Sequence, residues 1–118
     1  MPDKELDPSK PDRRIQPRVK AAPRVRYRLG GTDTWQEAEI RDLSVEGVRM
    51  WAPTALRDNV RITIQIEMLH IAPPFVFSGT VIWGKEEGGG RTYGVRFTEP
   101  PPFDLNVLKS YLAPYLTK

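Results

Sequence analysis

The sequence predicts a mainly β protein: a six-stranded antiparallel β-barrel followed by one C-terminal amphipathic helix. Apolar and polar residues alternate in six short segments between residues 24 and 97, and glycines separate several of these segments. After three consecutive prolines at 100–102, the apolar residues recur at helical spacing instead. A length of 118 residues with 39% hydrophobic residues is enough for one domain with a single core.

The six predicted strands are identified by apolar residues that alternate with polar ones and therefore share one face. In chain order these residues are Val25, Tyr27 and Leu29; Ala38 and Ile40; Val48 and Met50; Val60, Ile62, Ile64, Ile66 and Met68; Phe75, Phe77, Val81 and Trp83; and Tyr93, Val95 and Phe97. Glycines at 30–31 and 88–90 predict turns. Because Trp83 is in phase with the core residues of the fifth strand (about residues 75–83), we expect its indole in the core.

The predicted helix follows the three prolines, which cannot continue a strand but can occupy the first turn of a helix. Its apolar stripe consists of Phe103, Val107, Leu108, Tyr111, Leu112 and Tyr115. Pro114 is expected to end or kink the helix, because its ring clashes with the carbonyl group four residues earlier. Because one face of this helix is apolar, we expect it to plug or flank the barrel.

Basic residues are concentrated near the N-terminus. Residues 1–28 contain nine of the 18 lysines and arginines against four acidic residues, whereas the rest of the chain is slightly acidic. We predict a disordered leader over residues 1–11, which are rich in proline and acidic residues, and a folded domain over residues 12–118. A basic end on an acidic body favours an anionic partner, although such a segment can also serve only to solubilise the chain.

The residue types on which most enzymes and metal sites depend are scarce. The chain has no cysteine and only one histidine, His70, so it offers neither a thiolate nucleophile nor a histidine cluster for a metal. The glycines at 88–90 lack the lysine and hydroxyl residue of a phosphate-binding loop. We therefore predict a binding protein without enzymatic activity, metal or cofactor.

The sequence also argues against a membrane segment. No apolar run approaches the roughly 20 residues of a membrane-spanning helix. The polar N-terminus lacks the hydrophobic stretch of a secretory signal. We expect a cytoplasmic protein with no membrane insertion.

Two local motifs carry the functional prediction. Arg13-Arg14-Ile15-Gln16-Pro17-Arg18 contains an Arg-x-x-x-Arg pattern preceded by a third arginine, and Asp42-Leu43-Ser44-Val45-Glu46-Gly47 is an Asp-x-Ser-x-x-Gly element between the second and third predicted strands. Each pattern alone is weak in a chain with twelve arginines and many polar turns. Their occurrence in this order, about two dozen residues apart around a strand, is far more specific.

In these two motifs the sequence resembles the PilZ family, which comprises receptors for the bacterial second messenger cyclic di-GMP. Residues 78–83 and 93–97 also resemble the closing strands of that family, and the resemblance extends over about residues 12–116. It implies a stand-alone receptor or adaptor that binds cyclic di-GMP and relays it to a downstream protein, with outputs such as motility or biofilm formation. An arginine at position 13 further implies two ligand molecules per chain.

The chemistry of the motif residues suits that ligand. An arginine fork can pair with a phosphate, or with O6 and N7 of guanine, so Arg13, Arg14 and Arg18 can contact both kinds of group. Asp42 can accept hydrogen bonds from guanine N1–H and its exocyclic amine, and Ser44 can both donate and accept.

Two further positions complete the predicted ligand-binding set. Gly47 permits a positive φ and a close backbone approach. Arg96 lies on the outer face of the sixth strand, because it is out of phase with the core residues Val95 and Phe97.

Other interpretations remain open at this stage. Asp42 and Ser44 can instead cap a turn through their own backbone, and Arg24, Arg26 and Arg28 suit a solvated strand face. The protein could be a PilZ-like interaction module without ligand, or a nonspecific binder of single-stranded nucleic acid, which combines a small barrel with a basic arm. Against the latter, the chain outside the arm is acidic, so we do not expect a nucleic-acid partner.

The basic arm, from about Asp12 to Lys20, is expected to be mobile without ligand and ordered with it. It has few apolar residues, and its clustered arginines repel one another until an anion arrives. Ordering the arm would create a ligand-dependent surface for a partner protein.

Overall fold

The computed structural model describes residues 23–116, so the predicted leader and the arm residues Arg13, Arg14 and Arg18 lie outside the described residues. The elements are β1 (Arg24–Leu29), β2 (Gln36–Leu43), β3 (Gly47–Ala52), β4 (Arg61–Met68), β5 (Ile71–Glu87), β6 (Gly90–Phe97), α1 (Leu105–Leu112) and a short 3₁₀ helix (Ala113–Tyr115). All paired strands are antiparallel and close a barrel in the order β1-β2-β3-β6-β5-β4. The predicted fold class is confirmed.

The alternating residues of the strands fill the barrel interior. Tyr27, Met50, Ile64 and Tyr93 are fully buried, and the two aromatic rings supply much of the core volume. Neighbouring strands contribute to the same core because their in-phase residues all point inward. Closure of the sheet also leaves no long unpaired edge along β1–β4.

The helix α1 adds one apolar face to this core. Asp104 is its N-cap, and the carboxylate accepts a hydrogen bond from the Asn106 amide at 2.9 Å. Leu108 and Leu112 are buried, whereas Val107 and Tyr111 are about 40% exposed, so the buried stripe is narrower than predicted. The α-helix ends at Leu112, and Pro114 lies in the 3₁₀ turn that follows, as its missing N–H donor requires.

Two strands contain β-bulges that reverse the alternation of their side chains. The register of β2 against β3 shifts between Ile40 and Asp42, and that of β5 against β6 shifts between Val81 and Trp83. An extra residue in a strand moves every later side chain to the opposite face. Trp83 is therefore 40% exposed on the outside of the barrel, and the expectation that it is a core residue is wrong.

The hairpin between β5 and β6 is longer than its apolar pattern predicts. β5 runs from Ile71 to Glu87, and β6 begins at Gly90, well before the alternation at Tyr93 becomes visible. Gly88 and Gly89 have φ angles of 58° and 80°, which glycine adopts without a steric penalty. The residues near the hairpin tip are mostly polar or glycine, so no apolar alternation marks these strand ends in the sequence.

Tyr93 provides a test of the core beside the loop of residues 53–56, which follows β3. Its hydroxyl donates to the Thr54 carbonyl and accepts from the Leu56 amide, both at 2.7 Å. Tyr93→Phe should destabilise the protein by about 1–3 kcal/mol, because it leaves two backbone groups without their partner. Urea unfolding measures this difference. An unchanged unfolding midpoint would show that water replaces the hydroxyl and that the residue 53–56 loop does not depend on it.

Candidate ligand-binding groove

One row of residues crosses the outer face of four adjacent strands. Asp42 of β2 pairs with Arg49 of β3, Arg49 pairs with Gly94 of β6, and Gly94 pairs with Trp83 of β5. Adjacent strands are about 4.8 Å apart, so the backbone of the row extends about 14 Å along the sheet from β2 to β5. The two bulges described above turn both of its ends, Asp42 and Trp83, toward solvent.

The indole of Trp83 lies directly against the backbone of Gly94. A Cβ atom at position 94 would be 2.2 Å from Nε1 of Trp83 and 2.4 Å from its Cε2, closer than any real contact. The absence of a side chain at Gly94 therefore allows the ring to rest on the sheet. Because the ring is 40% exposed, part of its surface can stack with an aromatic ligand.

The Asp-x-Ser-x-x-Gly element forms the end of β2 and the turn into β3. Oδ1 of Asp42 accepts from the Leu43 amide at 2.8 Å, and Oγ of Ser44 accepts from the Glu46 amide at 3.2 Å. The Ser44 amide also donates to the Gly47 carbonyl at 2.9 Å. Both side chains thus stabilise the turn through their own backbone. The bond from the Leu43 amide occupies one oxygen of the Asp42 carboxylate, and the other oxygen faces Arg49.

Gly47 is required by strand packing. A Cβ atom there would be 1.9 Å from the carbonyl oxygen of Val95, so β3 and β6 could not approach each other with any other residue at this position. The glycines with positive φ in the described part of the chain are Gly31, Gly88 and Gly89. Of the two properties that a glycine permits at position 47, the structure uses the close backbone approach, to the carbonyl of Val95, and not a positive φ.

These residues enclose a groove of about 250 Å³ on the surface of the barrel. Arg96 lies on its wall, exposed as predicted, and pairs with Gly47 across β3 and β6. Within residues 23–116, Arg96 has no carboxylate within ion-pair distance. The groove is lined by residues 42–44, 46–49, 82–83 and 94–96.

A second, smaller groove adjoins the first along Arg49. It is lined by Arg41, Arg49, Glu87, Gly88 and Thr92. A hydrogen bond from Thr92 lowers the pKa of Glu87, and the positive charges of Arg41 and Arg49 act in the same direction. This groove lacks the exposed indole and the free carboxylate oxygen that the groove beside Asp42 offers to a base.

The arginines of β1 are engaged on a different part of the barrel. Arg24 pairs with Glu37 at 2.9 Å, Arg26 with Glu67 at 3.7 Å and Arg28 with Asp33 at 3.6 Å. They do not line the Asp42 groove, in agreement with their interpretation as a strand face.

Sequence patterns alone missed three residues of the row. Arg49 alternates with the buried Val48 and Met50, so its outward direction was predictable, but nothing in the sequence placed it beside Asp42. Trp83 was assigned to the core because the bulge between Val81 and Trp83 cannot be recognised from the alternation of apolar residues. The need for glycine at position 94 becomes apparent only from its contact with the Trp83 ring.

Two further searches of the described residues bear on function. No group of three or more histidine, cysteine, aspartate or glutamate side chains within residues 23–116 is arranged to hold a metal ion. None of the helices in that part of the chain is long and apolar enough to cross a membrane.

Comparison with known proteins assigns the family. Searches against curated proteins and against solved structures returned no match. The family model described as the PilZ domain matches residues 12–113, which include both sequence motifs and all six strands. The chain therefore belongs to the PilZ domain family.

Proposed function

We propose that this protein is a cyclic di-GMP receptor that binds the ligand in the Asp42 groove and relays the signal to a partner protein without catalysing a reaction. The observation that carries the proposal is the row from Asp42 to Trp83, which places a carboxylate, a guanidinium and an exposed indole on one face. Family membership supports the same ligand.

Each feature of the groove matches a group of the ligand. The exposed part of the Trp83 ring offers a stacking surface for a guanine base. Asp42 can accept hydrogen bonds from guanine N–H donors while its other oxygen remains bonded to the Leu43 amide. Arg96, which has no carboxylate partner in the described chain, can pair with a phosphate.

The start of β1 lies on the side of the barrel toward which β2 runs to Asp42. Val25 pairs with Ala38, and the antiparallel register carries the chain before β1 in the direction in which β2 runs to Asp42. Asp42 is four residues, or about 13 Å, beyond Ala38 along the strand. Arg18 is seven residues before Val25 and can reach up to about 25 Å, so the length of the arm is sufficient.

The size of the groove also favours a contribution from the arm. At about 250 Å³ it is smaller than the roughly 300–1,000 Å³ of typical small-molecule sites. We propose that Arg13, Arg14 and Arg18 close over the ligand and complete the site. Ordering the arm costs about 1–2 kcal/mol per residue fixed, which lowers the affinity but creates a surface that a partner can recognise.

Calorimetric titration with cyclic di-GMP tests this function. We expect saturable binding with two ligands per chain, because in the PilZ family an arginine at the position of Arg13 accompanies a stacked pair of ligand molecules. Saturation at one ligand would contradict the stoichiometry alone. No binding of cyclic di-GMP, or tighter binding of single-stranded oligonucleotides, would contradict the proposed function and favour an interaction module or a nucleic-acid binder instead.

Asp42→Ala should reduce guanine selectivity more than phosphate affinity. The carboxylate accepts from N–H groups that adenine does not present in the same way, and one well-formed base contact contributes about 1–3 kcal/mol of discrimination. The measurement is the ratio of affinities for cyclic di-GMP and cyclic di-AMP in the wild type and the variant. If the ratio is unchanged, Asp42 serves only the turn that its bond to Leu43 stabilises.

A further inference from the structure

Arg49 occupies the centre of the row, between the carboxylate of Asp42 and the glycine floor under Trp83. Its Nη2 lies 3.8 Å from Oδ2 of Asp42, beyond hydrogen-bonding distance, and its side chain is 49% exposed. A surface ion pair this long contributes little to folding. The guanidinium is therefore held next to Asp42 while its N–H donors remain available to a ligand.

We infer that Arg49 determines base specificity by donating hydrogen bonds to O6 of a guanine whose N–H groups bond to Asp42. This inference rests on the proposed function of the groove. It assigns a role to a residue that belongs to neither sequence motif.

The neighbouring opposite charges match the edge of guanine. That edge presents the acceptor O6 next to the donors N1–H and the N2 amine, so a donor beside an acceptor is complementary to it. Adenine reverses the order, with a donor amine at position 6 beside the acceptor N1. Against adenine, the Arg49–Asp42 pair would meet a donor with a donor and an acceptor with an acceptor.

Arg41 is a matched control on the same face. Its guanidinium is one residue from Asp42, but it pairs with Glu39 at 3.3 Å and lies over the ring of Trp51. It lines the neighbouring groove and not the one beside Asp42. Arg41→Ala therefore removes the same charge from the same region without removing the proposed contact, and it measures the nonspecific electrostatic effect.

The test compares Arg49→Ala with Arg41→Ala against three ligands: cyclic di-GMP, cyclic di-IMP and cyclic di-AMP, with the weakest ligand measured by competition. Inosine keeps O6 and N1–H of guanine but lacks the N2 amine. Arg49→Ala should weaken cyclic di-GMP and cyclic di-IMP by a similar factor, about 5- to 150-fold more than Arg41→Ala does, and leave cyclic di-AMP as in the control.

Two results would overturn the role of Arg49 and leave the proposed function intact. Equal weakening of all three ligands by Arg49→Ala would show that only its charge matters, and an effect equal to that of Arg41→Ala would place it outside the site. Failure of the wild type to bind cyclic di-GMP would instead overturn the proposed function, and the role of Arg49 with it. Thermal melting of each variant shows that a loss of binding is not a loss of folding.

Discussion

Arg14→Ala and Arg18→Ala should each weaken cyclic di-GMP binding by about 2–4 kcal/mol, or about 30- to 1,000-fold. Each removes a charge-assisted contact to a phosphate or to a guanine edge, and the remaining arm must still lose its conformational freedom on binding. The fold should survive both changes, because neither position belongs to the alternating core. Calorimetry with the two single variants measures the loss.

Arg24→Ala is the matched control for the arm. Arg24 is the next arginine along the chain, but its guanidinium is bonded to Glu37 at 2.9 Å on the wall of the barrel. Removing it deletes one positive charge close to the arm and no proposed ligand contact. If Arg24→Ala weakens binding as much as Arg14→Ala and Arg18→Ala do, the arm acts only through net charge, and its specific contacts are excluded.

Trp83→Ala should weaken cyclic di-GMP binding by about 1–3 kcal/mol, since each base–aromatic stack is of that size. The indole forms one end of the row and lies on Gly94 with part of its ring exposed, so its loss removes the aromatic surface of the groove. Trp83→Phe retains an aromatic surface and should recover part of the affinity. Because stacking does not depend on the hydrogen-bonding edge, affinity for cyclic di-AMP should fall in parallel.

Trp51 is the control for this effect. It lies on β3, on the same outer face, but its indole donates to the carbonyl oxygen of Glu87 at 2.7 Å and stacks with Arg41. Trp51→Phe should leave ligand affinity unchanged. An unaltered affinity in Trp83→Ala would contradict the stacking role and restrict the site to the Asp42 turn and the arm.

The barrel could be predicted from the sequence because one face of each strand is buried. Val25 and Tyr27 of β1 and the isoleucines of β4 alternate with polar residues without interruption, and this regular period fixes which side faces the core. The strand order follows less directly, since β1 pairs with β4 across the closure of the barrel. The number of strands was therefore predictable, and their pairing required the structure.

The outer face of the groove could not be predicted in the same way. Its geometry depends on two bulges, and a bulge adds one residue without changing the apolar composition of a strand. In β5 the extra residue moves Trp83 from the expected interior to the surface. In β2 it turns Asp42 outward next to Arg41, so that adjacent residues are both exposed.

For the glycines of the groove, too, the sequence identified a position without revealing the contact that requires it. The Asp-x-Ser-x-x-Gly motif identified Gly47 as a significant position, but its cause is the carbonyl oxygen of Val95 on a strand nearly 50 residues away. No local pattern contains that contact. Gly94 is explained in the same way by the ring of Trp83. Motifs thus identified where the site lies, and long-range register determined how it is built.

Amide NMR spectra recorded during a titration with cyclic di-GMP test whether the ligand binds to the Asp42–Trp83 row together with the arm. We predict that the largest shifts occur at Asp42, Ser44, Arg49 and Gly94 and at the Trp83 indole N–H. Amides of residues 12–20 should exchange with solvent more slowly in the complex than without ligand. Shifts confined to other faces of the barrel, or equal exchange of residues 12–20 in the two states, would contradict this mode of binding.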